Sequence, residues 1–576
     1  MKYNRIPFLR FHLPFFFCCL FSWFKISSVR TLRPVFYYCL FLMFFASCAQ
    51  IVKPSGGPQD KKPPHANSYT PDSAAVFFKS KKVSIVFDEF IQLKDLNSQL
   101  VVSPPMERTP DIKVKGKVLE IVFRSPLKDS TTYTISLGSA VVDLHESNAV
   151  PDFKYVFSTG SYVDSLWISG TITNAFTQLP EKGVMVMLYN KLDDSIPYKS
   201  VPAYFGRTSA SGAYRINHIK PGIYKVFALR DQNGNYKYNP GEMIGFLEKN
   251  IELNNSQDNV NMLVFKEESS TQKLKRAYQN GYGKIVLTFA SAAERIHLRS
   301  IRKDAEPIGT SFVERNGKAD TLTYWFVPPA ADSLFMEVGD DNKVYDTLRY
   351  KLVGRDKFLS QHKTEKYLLK IQSNVSGMHL FDLNSQLRLS FSAPVPGGIK
   401  DASRMFLTED TLKDNLFTNG SFNFTDDIKR TLSWKYDKGS WKESRKYHLL
   451  ILPGAFSDMY GFTNDTLKTD FKTTELRFYG TLKLNVTAAP GHYILQLLDD
   501  KEAIVREESF NNNHEFYFEY LSPMNYKVRL ITDSNENKKW DTGNYLKKKQ
   551  AEAVIYYKDP ITIRSNWDQE TVWIVK

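Results

Sequence analysis

Two segments of this chain occur twice, and the copies follow the same order. The stretch STTYTISLGSAVVDLHESNAVPDFKYVFSTG (residues 130–160) resembles SRKYHLLILPGAFSDMYGFTNDTLKTDFKTT (444–474). The stretch IKPGIYKVFALRDQNGNYKYNPGE (219–242) aligns without a gap on LSPMNYKVRLITDSNENKKWDTGN (521–544). Repetition of long segments in a fixed order indicates a modular architecture. We therefore expect a duplicated cassette of two modules, with an additional segment between the copies.

The repeated regions are rich in short segments that alternate apolar and polar residues. Examples are VSIVF (83–87), LEIVF (119–123) and YTISL (133–137), which turn-forming clusters such as SPP separate. A period of two is typical of strands with one buried face. Aromatic residues make up 14% of the chain and also favour strands. We predict an all-β fold.

The length and the charge of the chain narrow its class further. A chain of 576 residues is too long for one core and predicts roughly three to five domains. The formal net charge is +14, but residues 1–47 hold six basic and no acidic side chains, which leaves 14 − 6 = +8 for the remainder. No Lys/Arg run is interleaved with aromatic residues as in a nucleic-acid groove. The sequence therefore predicts a solvated surface and no nucleic-acid partner.

The cysteines mark the start of the folded part of the chain. All four occur within the first 48 residues, at Cys18, Cys19, Cys39 and Cys48. Two arginines precede an apolar run (35–47), which has the length of a signal-peptide core and is short for a membrane-spanning helix. The Ala-Ser pair directly before Cys48 makes this junction similar to the lipobox of bacterial lipoproteins, in which the cysteine is acylated and the chain is cut just before it.

This similarity implies a lipoprotein signal peptide at residues 1–47 and lipid, including palmitate, on Cys48. The following residues (48–65) are rich in Pro, Gly and Lys, and we expect them to form a flexible tether. The alternative is an N-terminal membrane anchor with an incidental cysteine.

Several motifs in the body resemble known β-sandwich families. Residues 66–160 contain VSIVFDEF, VSPP, YTISL, VVDLHESNAV and YVFSTG, and are similar to the SbsA-type bacterial Ig-like domain. Residues 366–475, with LRLSFSAPV and YHLLILPGAFSDMYGF, resemble a second, diverged copy. Residues 165–265, with SGTITN and GRTSASGAYRINHIKPGIYKVFALRDQNGN, resemble the prealbumin-like or carboxypeptidase-regulatory-like β-sandwich, and residues 476–576 its second copy. The order resembles that of Ig-like domain-containing envelope lipoproteins and implies tandem β-sandwich domains.

Two smaller points stay open at this stage. Residues 266–365 are β-rich, with KIVLTF, TLTYWFV and SLFMEV, but the sequence leaves open whether they form one domain. Tyr133 and Tyr447 occupy the same position in the first repeated segment. Each fits either a tyrosine corner or an ordinary core position, and a core position is the more common role.

Motifs of enzymatic chemistry are missing from the sequence. The ten histidines are scattered, and none forms H-E-x-x-H or another close metal-ligand pair. The sequence has no G-x-S-x-G elbow, P-loop or dinucleotide fingerprint, and no cysteine follows Cys48. The two carboxylates of a glycosidase can come from anywhere in a chain, so this class is a minor alternative. The sequence predicts no enzyme.

One repeated loop has the composition of a cation site. Its oxygen-bearing residues have the spacing of ligands 1, 3, 5, 9 and 12 of an EF-hand loop. They are Asp231, Asn233, Asn235, Asn239 and Glu242. Position 6, normally Gly, is Tyr236, and the second copy (533–544) has lost the acid at position 12. Two interpretations stay open, a weak Ca²⁺ site or a structural turn in which Asx side chains bond their own backbone. No other cofactor is predicted.

These observations predict a non-catalytic lipoprotein anchored in the outer membrane. Its partners would be the membrane, through the lipid, and envelope proteins or polysaccharide. The alternative is a surface-exposed, adhesin-like lipoprotein that binds a glycan or a host ligand. Surface-exported lipoproteins usually carry a short acidic run after the acylated cysteine, but AQIVKP follows Cys48. This favours the periplasmic face.

Overall fold

The computed structural model describes residues 60–575, apart from residues 270, 303–305, 330–332, 342, 353, 362–367, 376–379, 411–413 and 438. The predicted signal peptide, Cys48 and the tether before residue 60 lie outside the described residues. Helix in the described part is limited to short segments: α1 (Leu96–Gln99), α2 (Ile196–Lys199), α3 (Arg355–Gln361) and 3-10 helices at Ala402–Arg404, Leu416–Asn419 and Leu476–Phe478. None of these is long and apolar enough to span a bilayer. The predicted all-β fold is confirmed.

Nine strands form the first sandwich (residues 66–158). They are β1 (Ala66–Thr70), β2 (Lys82–Phe87), β3 (Ile91–Leu93), β4 (Val101–Ser103), β5 (Asp111–Lys115), β6 (Val118–Val122), β7 (Thr132–Gly138), β8 (Val141–Asp143) and β9 (Phe153–Ser158). One sheet has the order β1-β2-β6-β5, the other β4-β7-β9, and β3 pairs with β8. With β1, β2, β4, β5, β6, β7 and β9 named A to G, the sheets are A-B-E-D and C-F-G, as in a constant-type Ig sandwich. On β2, Val83, Ile85 and Phe87 are buried, as the period of two predicts.

The segment whose fold the sequence left open (266–365) contains the third sandwich. Its strands are β18 (Leu274–Gln279), β19 (Lys284–Phe289), β20 (His297–Ser300), β21 (Ile308–Arg315), β22 (Thr321–Val327), β23 (Ser333–Gly339) and β24 (Val344–Lys351). The sheets β18-β19-β22-β21 and β20-β23-β24 repeat the A-B-E-D and C-F-G orders. This segment therefore has the same topology as the first sandwich, which its sequence did not reveal.

The fourth sandwich (371–473) has this topology as well. Its strands are β25 (Ile371–Ser373), β26 (Leu380–Phe381), β27 (Leu387–Phe391), β28 (Met405–Glu409), β29 (Gly420–Phe424), β30 (Thr431–Tyr436), β31 (Lys446–Ile451) and β32 (Leu467–Thr473). The sheets are β25-β27-β30-β29 and β28-β31-β32, and β26 extends the second sheet in parallel with β32. Three sandwiches of one topology occur where the sequence predicted two.

Eight strands form the second sandwich (166–266), and eight form the fifth (480–574). Those of the second are β10 (Leu166–Asn174), β11 (Met185–Tyr189), β12 (Tyr204–Arg207), β13 (Ala213–Ile219), β14 (Gly222–Leu229), β15 (Met243–Phe246), β16 (Ile251–Leu253) and β17 (Met262–Lys266). Those of the fifth are β33 (Gly480–Thr487), β34 (His492–Leu498), β35 (Ile504–Asn511), β36 (His514–Leu521), β37 (Asn525–Thr532), β38 (Val554–Tyr556), β39 (Ile561–Thr562) and β40 (Asp568–Ile574).

These two sandwiches share their strand pairing. In the second, β10 pairs with antiparallel β13 and parallel β17, and in the fifth β33 pairs with β36 and β40 in the same senses. Strand β14 pairs with β11, β15 and β16, just as β37 pairs with β34, β38 and β39. A β15–β17 ladder closes the second sandwich, and no counterpart is described in the fifth. The duplication read from the sequence thus extends to the strand order.

Tyr133 and Tyr447 are both core residues and corner residues. Each is the second residue of strand F, and their exposed fractions are 1% and 0%. Each phenol oxygen accepts a hydrogen bond from a backbone N–H five residues upstream, that of Lys128 at 2.8 Å and that of Lys442 at 3.2 Å. This is the contact of a tyrosine corner. The third sandwich has buried Leu334 at this position and forms its core without the corner.

The second and fifth sandwiches are joined through a loop between β37 and β38. Tyr545 of this loop is 1% exposed and belongs to a hydrophobic cluster made mainly by the second sandwich. Its ring meets those of Phe227 and Phe246 edge-on, at 5.0 and 5.2 Å between centroids. In the opposite direction, Phe176 of the second sandwich packs on Trp540 of the fifth at 4.9 Å. Each sandwich therefore covers an apolar face of the other.

Polar contacts fix this joint. The Tyr545 hydroxyl donates to the Asp194 carbonyl at 2.9 Å, and Gln550 donates to the Phe246 carbonyl at 3.0 Å. Lys225 of the second sandwich and Lys548 of the fifth both bind the Asp194 carboxylate and hold its pKa at about 2. The loop approaches closely, since a Cβ at position 543 would lie 2.4 Å from the Phe265 ring.

We expect Tyr545→Ala to open the joint. The substitution removes a large buried side chain, which costs about 3 kcal/mol in a protein core. Hydrogen exchange should accelerate in β11 and β15, because Tyr545 covers the face they form. The control is Tyr517→Ala, which removes a ring that is 61% exposed on the fifth sandwich. Unchanged protection of β11 and β15 in Tyr545→Ala would show that the second sandwich does not depend on this contact.

Candidate functional site

The residues predicted as Ca²⁺ ligands form a compact turn after β14. Asp231 Oδ1 accepts the backbone N–H groups of Asn233 and Gly234, and Oδ2 accepts that of Tyr236 at 2.8 Å. The two oxygens of Glu242 accept the N–H groups of Gln232 and Asn239, both at 2.9 Å. The side-chain oxygens therefore point at the loop's own backbone.

Asn233 and Asn235 act in the same way. Asn233 Oδ1 accepts the N–H of Asn235, and Asn235 Oδ1 accepts that of Lys237. Asn239 donates its side-chain N–H to the Lys237 carbonyl at 3.1 Å. All five predicted ligands thus lie in one loop, each as part of an Asx-type or capping hydrogen bond.

The second copy of the loop has the same hydrogen-bond network, except that a different glutamate takes the place of Glu242. Asp533 Oδ2 accepts the N–H of Lys538, as Asp231 does with Tyr236. Glu552 accepts the N–H groups of Ser534 and Asp541, the contacts that Glu242 makes in the first copy. The acid missing at position 12 is therefore supplied from further along the chain.

This geometry favours the structural interpretation of the loop. Within the described residues no group of three or more His, Cys, Asp or Glu side chains is arranged to hold a metal ion. Backbone N–H donors already occupy the oxygens that a Ca²⁺ ion would need. The calcium site stays a prediction, which a titration can decide.

The loop borders a contact between the first and second sandwiches. Tyr236, at φ 60°, packs edge-on against Phe205 at 5.1 Å. Together with Arg207 it lines a small cavity of about 160 Å³ under residues 97–109 of the first sandwich. The Phe205 N–H donates to Ser103 Oγ at 3.2 Å, and Thr134 bonds His218 Nδ1 at 2.8 Å.

On the other side of Arg207 the two sandwiches enclose a larger groove of about 1440 Å³. Its walls come from β4, β7 and β9 of the first sandwich and from β12 and β13 of the second. Its charged lining residues are Lys154, Lys182, Arg207, Arg215 and Arg230 on the basic side, and Asp95, Asp152 and Glu181 on the acidic side. Of its apolar lining residues, Phe205, Tyr214 and Ile216 are buried. Val101 is half-buried, and Pro151 and Pro180 are exposed.

Only part of this charge is neutralised within the groove. Lys154 pairs with Asp152, and Arg230 pairs with Glu181. The Arg207 side chain has no hydrogen bond or ion pair within the described residues, and its Nε is buried. Sequence patterns did not single out this arginine, because its surroundings come from two sandwiches.

A second arginine in the groove is held flat. The Arg215 guanidinium lies over the Trp167 ring at 3.8 Å, and its Nε donates to Asn217 at 2.8 Å. No described carboxylate pairs with it. Stacking on the Trp167 ring and the hydrogen bond to the Asn217 amide thus position the guanidinium. Its terminal N–H groups have no acidic partner in the described structure.

Two aspartates that correspond in the first repeat differ in electrostatics. Burial would raise the pKa of Asp143, but backbone N–H groups of residues 145–148 bind its two oxygens and lower the pKa below its ordinary value. Burial raises the pKa of Asp458 to about 6, because fewer donors reach it and Oδ2 has no partner among the described residues. The same turn is therefore well satisfied in one copy and poorly satisfied in the other.

Comparison with known protein families gave a match for one part of the chain. Residues 60–159, which include the first sandwich, match the family described as Bacterial Ig-like domain. The first sandwich is similar to bacterial Ig-like domains. This agrees with its A-B-E-D and C-F-G sheets. Comparison with curated protein sequences found no match.

Solved structures show only distant similarity. The S-layer protein rSbsC(31-844) is 11% identical, with a TM-score of 0.13, and the match covers 82% of this chain and 64% of that protein. The chain therefore covers less than two thirds of that S-layer protein. The Bacillus anthracis TIE protein is 9% identical, with a TM-score of 0.13 and coverages of 91% and 76%. BcpA, the major pilin subunit of Bacillus cereus, is 9% identical, with a TM-score of 0.12 and coverages of 71% and 99%.

We expect Asp458→Asn to stabilise its turn at neutral pH. The carboxyl has a pKa near 6 in the folded chain and about 3.9 in an unfolded chain, so its stabilising contribution is complete below pH about 4 and is lost as pH rises through about 6. A shift of about two pKa units corresponds to about 3 kcal/mol, which is the cost of the ionised group at neutral pH. Hydrogen exchange of residues 459–463 should slow in the variant at pH about 7.5 and match the parent at pH about 4.

Asp143→Asn is the matched control for this measurement. Its pKa is lowered, so its contribution is present at neutral pH and decreases with acidification. The variant should exchange faster at residues 145–148 at neutral pH. Faster exchange in Asp458→Asn at neutral pH would contradict the unfavourable role of the ionised Asp458.

We expect the Asp231 loop to be stabilised by its own hydrogen bonds and not by Ca²⁺. Asp231→Ala removes the acceptor of three backbone N–H groups and should destabilise the second sandwich by about 1–2 kcal/mol. Calorimetric melting of the mature chain with millimolar Ca²⁺ or with a chelator should give the same transitions. Asp533→Ala provides the comparison in the second copy. Heat of Ca²⁺ binding that disappears in Asp231→Ala would instead establish the calcium site.

Proposed function

We propose that this protein is a non-catalytic lipoprotein of the outer membrane that presents β-sandwiches for structural or binding contacts in the cell envelope. The observation that carries the proposal is the joint at Tyr545, through which sandwiches distant in sequence cover one another's apolar faces. Such contacts suit a scaffold whose surface grooves stay in place. The bacterial Ig-like match of residues 60–159 supports a structural or binding role.

The proposal includes the finer assignments made from the sequence. Residues 1–47 serve as the signal peptide, Cys48 carries the lipid, and residues 48–65 form the tether. The second and fifth sandwiches are of the prealbumin-like or carboxypeptidase-regulatory-like kind, and their shared strand order supports a common origin. Two or more acyl chains would anchor the protein stably, whereas one alone is marginal.

The location and the partners follow from the same proposal. The protein lies on the periplasmic face of the outer membrane and contacts envelope proteins or polysaccharide. The second candidate is a surface-exposed, adhesin-like lipoprotein that binds a glycan or a host ligand. The groove between the first and second sandwiches supports both candidates equally, because a protein at either location needs a binding surface.

We expect Cys48→Ala to release the protein from the membrane. The variant cannot be acylated, so the folded body should move from the membrane fraction to the soluble fraction, and labelled palmitate should no longer be incorporated. Tyr517→Ala, at an exposed ring on the fifth sandwich, is the control and should stay with the membrane. Membrane fractionation of Cys48→Ala equal to that of the parent would refute lipid anchoring.

Protease treatment of intact cells separates the two candidates. A protein on the periplasmic face should resist the protease until the outer membrane is permeabilised. Degradation in intact cells would establish the surface-exposed candidate instead.

A further inference from the structure

The groove between the first and second sandwiches has unbalanced charge. Five basic and three acidic side chains line it, and two of the acids already bind Lys154 and Arg230. Lys182, Arg207 and Arg215 are left without a carboxylate partner within the described residues, with Asp95 as the remaining acid. Arg207 is half-buried, and an arginine partly removed from water without a partner is unfavourable in the free protein, whereas Arg215 is exposed.

The two guanidinium groups are also presented in an ordered way. Arg207 lines both the small cavity and the groove, and its Nε is buried inside the protein without a hydrogen-bond partner. Stacking on Trp167 and the bond to Asn217 hold Arg215. Planar arginine forks bind carboxylates and phosphates through two parallel hydrogen bonds. The pair therefore suits a ligand with repeated anionic oxygens.

The remaining lining indicates the class of ligand. Hydroxyl and amide side chains line the groove on both walls: Ser98, Ser136, Ser139, Ser209 and Asn217. The large apolar residues Phe205, Tyr214 and Ile216 in the lining are buried. Val101 is half-buried and Pro151 and Pro180 are exposed, so the groove offers charged and polar groups beside small apolar surfaces. Its volume of about 1440 Å³ exceeds the ~300–1,000 Å³ of small-molecule sites and suits a segment of a polymer.

We propose that this groove binds an acidic polysaccharide, with Arg207 and Arg215 on the uronate carboxylates and the hydroxyl and amide side chains on the sugar hydroxyls. The inference deepens the proposed binding role but does not depend on the lipid anchor. It assigns the site to the first cassette only. In the second, the position of Arg215 corresponds to Tyr517, four residues before the gapless repeat.

The test is calorimetric titration of the mature, unacylated chain with short galacturonate, mannuronate and glucuronate-containing oligosaccharides. At least one should bind, and a neutral glucan oligosaccharide of the same length should not. Arg207→Gln and Arg215→Gln should each weaken binding by about tenfold, the loss of one charge-assisted hydrogen bond. Added salt should weaken binding in the parent.

Arg276→Gln is the matched control, because Arg276 lies over Tyr278 at 4.6 Å in the third sandwich, away from the groove. It should bind as the parent does. Melting curves will confirm that the variants fold. Three results would each overturn the proposal: no uronate oligosaccharide binds, both groove variants bind like the parent, or polyglutamate binds more tightly than the uronates. Since the titration needs no membrane, its outcome is independent of the Cys48→Ala result.

Discussion

The burial of Tyr545 in the face of another sandwich is the contact on which the relation between the duplicated modules depends. Strand β11, with the sequence MVMLY, is buried at all five positions, although a strand at the surface of a sandwich normally buries alternate residues. The outer face it presents needs a cover, and Tyr545 provides it. Strand β34 is likewise buried at six of seven positions, and Phe176 helps to cover its outer side. The two modules therefore stabilise each other, and neither has two solvated faces.

The all-β fold and the duplication could be predicted from sequence because each depends on local pattern. The alternation in VSIVF and YTISL determined which residues are buried, and the gapless repeat anticipated matching loops. The joint could not be predicted, since it depends on residues some 350 positions apart in the chain, Asp194 and Tyr545. A signal was present in the continuous apolar run MVMLY, which indicates a strand buried on both faces. The third sandwich was missed because Leu334 replaces the corner tyrosine that marks the other two of its topology.

The candidate sites show the same division between local and non-local information. The Asp231 loop was located from spacing, and its hydrogen bonds are local. The replacement of its last acid by Glu552 in the second copy escaped notice, because that residue lies outside the aligned segment. The groove was wholly inaccessible to sequence reasoning, since Arg207 and its surroundings belong to separate sandwiches. Asp143 and Asp458 both lie within the first repeated segment, yet only the count of backbone donors distinguishes a satisfied carboxylate from an unsatisfied one.

Comparison of the duplicated copies separates residues that maintain the fold from residues that do not. The corner tyrosines, the capped loops and the strand order recur in both cassettes, as expected of features that maintain the fold of these modules. Tyr224 and Tyr526 even make the same 2.9 Å bond to a carbonyl four residues upstream. Arg215 has no such counterpart, because its equivalent is the exposed Tyr517. The fifth sandwich folds without an arginine at that position, so the fold does not require it. Its stacking on Trp167 is therefore not needed by the shared fold, which leaves the guanidinium available to a ligand.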